Sequence, residues 1–206
     1  MTNTSYSFRD REISDFLIKK NINYLEDLTT ERMAKKLGIY VEFQKGDSYV
    51  RSVSDFAMIY IEKRLEHFER RREFFHEVTH VLYHPGDQMY MPKALSIYQE
   101  EQTKYLMLYL SMPIHIIEPI LLKHPTIESL QEMFDLPEDM IKDRLEMLRR
   151  ERMRATYQTK IQKHEWRYRK KSLQPGEVHD CTIEILKKLK KQVGQERISR
   201  DVPRLL

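Results

Sequence analysis

Apolar positions along the chain change period twice. From residue 8 to 37 they recur at helical spacing: Ile13, Phe16 and Leu17, then Leu25, Leu28, Met33 and Leu37. Thr30 stands where it can cap the helix "ERMAKKL", and Gly38 where a C-cap glycine belongs. The period then shortens. "IYVEFQKGDSYVRSVSDFAMIYIEKRL" is rich in β-branched and aromatic residues alternating with polar ones, with a turn signal at Lys45–Ser48. This predicts two or three short antiparallel strands, at about 39–45, 48–53 and 57–62. Helical spacing returns near Leu65 and runs to His84, where Pro85-Gly86 stops it. A helix follows from about Ser96, as N-cap, to Leu110, and a short one at about 114–123. "HPTIESLQEMFDLPEDMIKDRLEMLRRERM" reads as two helices joined by a tight turn, with Thr126 capping the first and Pro137 opening the second. Beyond Ala155 the pattern weakens, "DCTIEILKKLKKQV" is a further short helix, and the last dozen residues are expected to fray. The class is α+β, mostly helical, with a small antiparallel sheet followed by a helical pair.

Composition narrows this picture. A chain of 206 residues fits one domain, or one with a small appendage. Apolar residues at 40% supply a core, and charged residues at 33% demand a heavily charged surface. With only 5 Gly and 8 Pro, few positions punctuate loops. Cys181 is the one cysteine, so no disulfide can form within the chain and a reducing cytoplasm is expected. The segment "MTNTSYSFRDREISDF" has no apolar signal-peptide region. The uncharged run Tyr105–Ile117 is interrupted by Pro113 and falls short of the roughly 20 residues a bilayer requires. A soluble protein with no membrane partner is the expectation.

Charge is unevenly spread. From Arg149 onward 17 Lys and Arg face 7 Asp and Glu, a surplus of +10, so the preceding residues carry −6 to give the net +4. "KIQKHEWRYRKKS" interleaves its bases with Trp166 and Tyr168, a pattern that suits nucleic acid by charge and stacking, an acidic protein, or a solvated helix. Nucleic acid is not the favoured partner. A DNA-reading helical pair would present the start of its second helix, and here Glu138 and Asp139 would meet the phosphates.

The densest chemistry lies in "FFHEVTHVLYHPGD". His76 and His80 are four apart, so both rings leave one face of a helix and can grip a single cation. Glu77 projects beside that point, where it can hold a water and take its proton. A chance HExxH in a chain with this many histidines arises in roughly 2% of cases. The flanks Phe74, Phe75, Val78, Val81 and Leu82 would bury the helix and hold its ligands rigidly. A zinc peptidase needs a third ligand, and the next helix offers Glu100 and Glu101. They differ by about 100° around the helix, and periodicity does not choose between them. His84 continues the histidine series, and Tyr98, Tyr109, His115 and His124 are candidates to stabilise an oxyanion.

"HEVTHVLYHPGDQ" and then "YQEEQTKYLMLYLSMP" resemble the ImmA/IrrE family of metallopeptidases over about Ile39 to Arg150. The family pairs a helix of the type HELGHxLLH with one ending like ExEANxFAxxLLMP. Registering "LSMP" on LLMP places Glu100 on the first glutamate. Thr79 stands where the family has Gly, and Gln102, Thr103 and Lys104 replace Glu-Ala-Asn. The resemblance implies a zincin-like metallopeptidase domain over 1–125, a helix-turn-helix-like element over 126–154 and a basic segment over 155–206. It implies Zn²⁺ held by His76, His80 and Glu100, with Glu77 as catalytic base. It also implies a narrow substrate, a helix-turn-helix repressor of a prophage or mobile element, whose cleavage relieves repression. The alternative is a non-catalytic regulator that binds a repressor or DNA through the helical and basic region.

Overall fold

The structure is a computed structural model that describes residues 6–53, 56–84, 91–172 and 180–193. Helix α1, Phe8–Lys19, is capped by Ser7, whose hydroxyl accepts from the Asp10 N–H, and it buries Ile13 and Leu17. A 3-10 turn at Leu25–Leu28 leads to α2, Thr30–Leu37. Its N-cap is Thr29, not the expected Thr30: the first bond of the helix runs from the Met33 N–H to the Thr29 carbonyl, which puts Thr30 inside the helix, where its hydroxyl accepts from the Arg71 guanidinium at 2.9 Å. Gly38 closes α2 at φ +75°, in the left-handed region where a Cβ is strained.

Strands β1 (Ile39–Gln44), β2 (Tyr49–Val53) and β3 (Phe56–Glu62) form one sheet in the order β1-β3-β2. The hairpin partners β2 and β3 are antiparallel, with Tyr49 opposite Tyr60. β1 and β3 are parallel, with Ile39 opposite Ala57, so the sheet is mixed and not wholly antiparallel as expected. Alternation predicts which face each residue occupies but not which strand lies in the middle. Once β3 takes the centre, β1 and β3 run the same way.

Helices α3 (His67–Tyr83), α4 (Lys93–Ser111) and α5 (Ile114–Leu121) follow. The Pro85-Gly86 stop lies outside the described residues. α4 opens at Lys93 after Pro92, and the Ser96 N–H already bonds to the Pro92 carbonyl, so Ser96 sits within the first turn instead of capping it. The helical pair is α6 (Ile127–Phe134), capped by Thr126, and α7 (Glu138–Ser172). Asp135 makes the turn between them at φ +59°. α7 runs well past Ala155 because Arg, Lys, Gln and Glu favour helix without needing an apolar face. α8 spans Asp180–Val193.

The chain divides into two units, 1–152 and 153–206. The first holds a continuous core of Leu17, Ile22, Met33, Ile59, Ile61, Phe74, Phe75, Leu110, Met112 and Ile117. Leu130, Phe134, Leu136, Met140, Ile141 and Leu148 of the helical pair belong to the same core. In the second unit, the described side chains of 153–166 are exposed apart from a half-buried Ala155, and Ile183 and Leu186 of α8 are half-buried. Among the described residues no helix is long and apolar enough to cross a membrane. The last dozen residues lie outside those described.

Candidate metal centre

α3 is fixed before it presents anything. Phe74, Phe75 and Val78 are fully buried on its inner side. Arg71, also buried, donates to the Leu28 carbonyl and the Thr30 hydroxyl and lies 4.6 Å from the Phe75 ring centroid. This ties the first half of α3 to the 3-10 turn and to the first residue of α2. Thr79, where the resembled pattern has Gly, is fully buried and donates to the Phe75 carbonyl at 2.7 Å, so the helix absorbs its hydroxyl. α4 packs alongside.

The two helices bring His76, His80 and Glu100 together. Their ligand atoms all lie within 4.8 Å of one another. His76 Nε2 is 3.1 Å from His80 Nε2. Glu100 Oε2 is 3.4 Å from His76 Nε2, and Oε1 is 3.4 Å from His80 Nε2. In a tetrahedral site with bonds of roughly 2.0–2.1 Å, neighbouring ligands are about 3.3 Å apart. The spacing therefore fits one small divalent cation, and two imidazoles with a carboxylate suit zinc, manganese or iron. Glu101 points elsewhere. It pairs with Lys104 Nζ at 2.5 Å on the exposed surface. Glu100 is the one of the two that meets the histidines.

Burial sets the protonation states. It pushes the His80 imidazole down to about 3, with His76 and His84 adding to the effect, so the ring is neutral and its lone pair available. Burial pushes the Glu77 carboxyl up to about 8, helped by the negative charges of Glu73 and Glu100. A divalent cation beside these carboxylates would oppose that rise.

The other candidates are placed differently. His84 is buried against His80, ring centroids 5.4 Å apart, but is outside the three-ligand group. Tyr98 is exposed and accepts from Gln102 at 2.7 Å. Tyr109 donates to Glu151 at 2.6 Å, and His115 meets the Ile22 carbonyl at 3.0 Å. His124 is exposed. One neighbour was not foreseen. The Thr103 hydroxyl, fully buried, lies 3.5 Å from His80 Nε2. The signal for it was its position three residues after Glu100, on the same helix face.

Residues 34–146 match a peptidase family described as the IrrE N-terminal-like domain, family M78. The chain is 26% identical to the uncharacterized protein YqaB of Bacillus subtilis (strain 168) over 136 residues, 65% of this chain and 79% of YqaB. It is 23% identical over 133 residues to the phage-like element PBSX protein XkdA of the same organism, 63% of this chain and 67% of XkdA. No solved structure matches the chain. The matched span holds both site helices and covers more than half the sequence, and the chain belongs to the M78 peptidase family of IrrE N-terminal-like proteins.

Proposed function

We propose that the chain is a zinc-dependent endopeptidase that cleaves a helix-turn-helix repressor of a phage or mobile element. The observation that supports this most is the meeting of His76, His80 and Glu100 beside the buried Glu77. In this reading the three side chains hold the ion. When bound, zinc supplies Lewis acidity that acidifies a water and polarises the scissile carbonyl. Glu77 takes the proton from that water and delivers it to the departing amine. The likeness to a phage-like element protein supports a substrate encoded on such an element.

The test is co-expression with the repressor encoded nearest its gene, wild type against Glu77→Gln. A discrete cleavage product with wild type and none with Glu77→Gln is the expected result. An intact repressor in both, or equal cleavage in both, refutes the reading.

A further inference from the structure

Beyond residue 146, where the family match ends, α7 continues as a helix to Ser172. Between Met153 and Ser172 it carries seven Lys and Arg against one Glu, a surplus of +6. The surplus is not spread evenly around the helix. Lys160, Lys163, Arg167 and Lys170 recur at intervals of three, four and three, with Lys171 four after Arg167. At about 100° per residue these five positions fall in a sector about 100° wide, and Glu165 falls on the opposite side. Tyr157 and Trp166, 66% and 63% exposed, stand about 90° to either side of the sector's middle.

A helix that needed charge only for solubility would gain from mixing signs, because acid–base pairs three and four apart stabilise it and like charges there repel. The first part of α7 does mix them: Lys142 pairs with Glu138, and Arg150 with Glu146. Lys160 and Lys163 are exposed and have no ion pair among the described residues. A row of one sign suits a ligand whose opposite charges also come in a row. Duplex DNA carries one negative charge for about every 1.7 Å of its axis, and a single strand also offers base faces to flanking rings. An acidic protein would need several carboxylates aligned over the about 16 Å from Lys160 to Lys171. A membrane surface would need a broad apolar flank, and the flank of Met153, Tyr157 and Ile161 is narrow and broken by His164. Glu138 and Asp139 oppose base reading by the start of α7, but they lie 22 and 21 residues before Lys160.

We propose that this face of α7 binds the phosphate backbone of nucleic acid, without regard to base sequence. The binding is independent of the peptidase reading, and it would bring the chain to the polymer that holds a helix-turn-helix repressor.

The full chain is titrated with fluorescein-labelled DNA, two duplexes of unrelated sequence and one single strand, at salt from about 50 to 200 mM. Two double variants change the charge equally: Lys160→Glu with Lys163→Glu on the face, and Arg154→Glu with Arg169→Glu off it. Trp166 is the one tryptophan, so its emission reports contact directly. Expected are binding of both duplexes alike at low salt, altered emission, and a slope of log affinity against log salt of roughly −3 to −4. The on-face double should lose about 10-fold or more in affinity, and the off-face double about 3-fold or less. Lys160→Gln with Lys163→Gln introduces no new charge and must also lose affinity, which separates contact from any disturbance of the helix by reversed charges. Equal losses in the two charge-reversal doubles reduce the effect to net charge and overturn the face. Absence of binding at low salt, or affinity untouched by salt, overturns the proposal. So does stronger binding to anionic lipid vesicles or to polyglutamate than to DNA, which would assign the face to a membrane or to an acidic protein.

Discussion

Asp10→Ala probes the most deeply buried charge among the described residues. Arg144 is fully buried, and its Nη2 meets Asp10 Oδ1 at 2.5 Å. Its Nε donates to the Met112 carbonyl at 3.1 Å, and the guanidinium lies 4.6 Å from the Tyr109 ring centroid. The pair thus joins α1, the end of α4 and α7. Removing the carboxylate strands a cation in the core, which costs about 3–5 kcal/mol. At about 2–4 °C per kcal/mol for a unit of this size, melting should fall by about 6–20 °C. A neighbour moderates the loss. Burial, then a hydrogen bond with Asp10, makes the Glu151 carboxyl hold its proton more tightly than usual. With Asp10 gone, Glu151 can ionise and serve Arg144 instead. The single variant should therefore fall at the low end of the range, and Asp10→Ala with Glu151→Gln should fall further. Urea unfolding followed by circular dichroism measures both. A loss below about 1 kcal/mol, the worth of an exposed pair, with no deepening in the double variant, refutes the reasoning.

Two other outcomes follow from local contacts. Glu62 accepts from Arg64 Nε at 3.0 Å and Nη2 at 2.8 Å, and this guanidinium, more than the Arg64 and Gly46 N–H groups, holds its carboxyl down to about 2. A depressed folded value means stabilisation that is full above the ordinary carboxylate range and fades as pH falls toward 2. Arg64→Ala should flatten the stability profile across that window, and profiles that run parallel would count against the contact. Thr126→Ala removes the oxygen that accepts the Ser129 N–H at 3.2 Å and should cost about 1 kcal/mol in thermal or urea unfolding, against no change if the cap is idle.

Local chemistry was readable where one residue does one job. Gly38, Thr126 and the limits of α8 follow from caps and composition, and the HExxH spacing places two rings on one face whatever surrounds them. Misreadings occurred where a distant residue intervened. Thr30 is a good cap by type, but the helix takes its first bond at the Thr29 carbonyl, and the Thr30 hydroxyl goes to Arg71, 41 positions away. The parallel pairing of β1 follows from β3 occupying the centre, and no alternation pattern encodes that choice. The continuation of α7 left no apolar periodic trace because its exposed residues bury nothing. Glu100 and Glu101 are equivalent by type and periodicity; the resemblance pointed to Glu100, and the crossing of α3 and α4 is what brings that residue to the histidines. Thr103 was noted only as a departure from a family pattern, since the ring it meets lies on another helix.

The Lys104–Glu101 pair is exposed on both sides and adds little to stability. Its effect is on competition. Two adjacent glutamates near an open site are rival landing places for any cation, and an ion that settles on the wrong one is lost to the histidines. Lys104 gives Glu101 a tethered cation of its own. The family pattern's Asn, being uncharged, could not occupy a neighbouring carboxylate in this way. On the proposed metal site, this departure from the pattern would leave Glu100 as the carboxylate of the doublet outside the lysine ion pair, and an arriving metal would have one favoured destination.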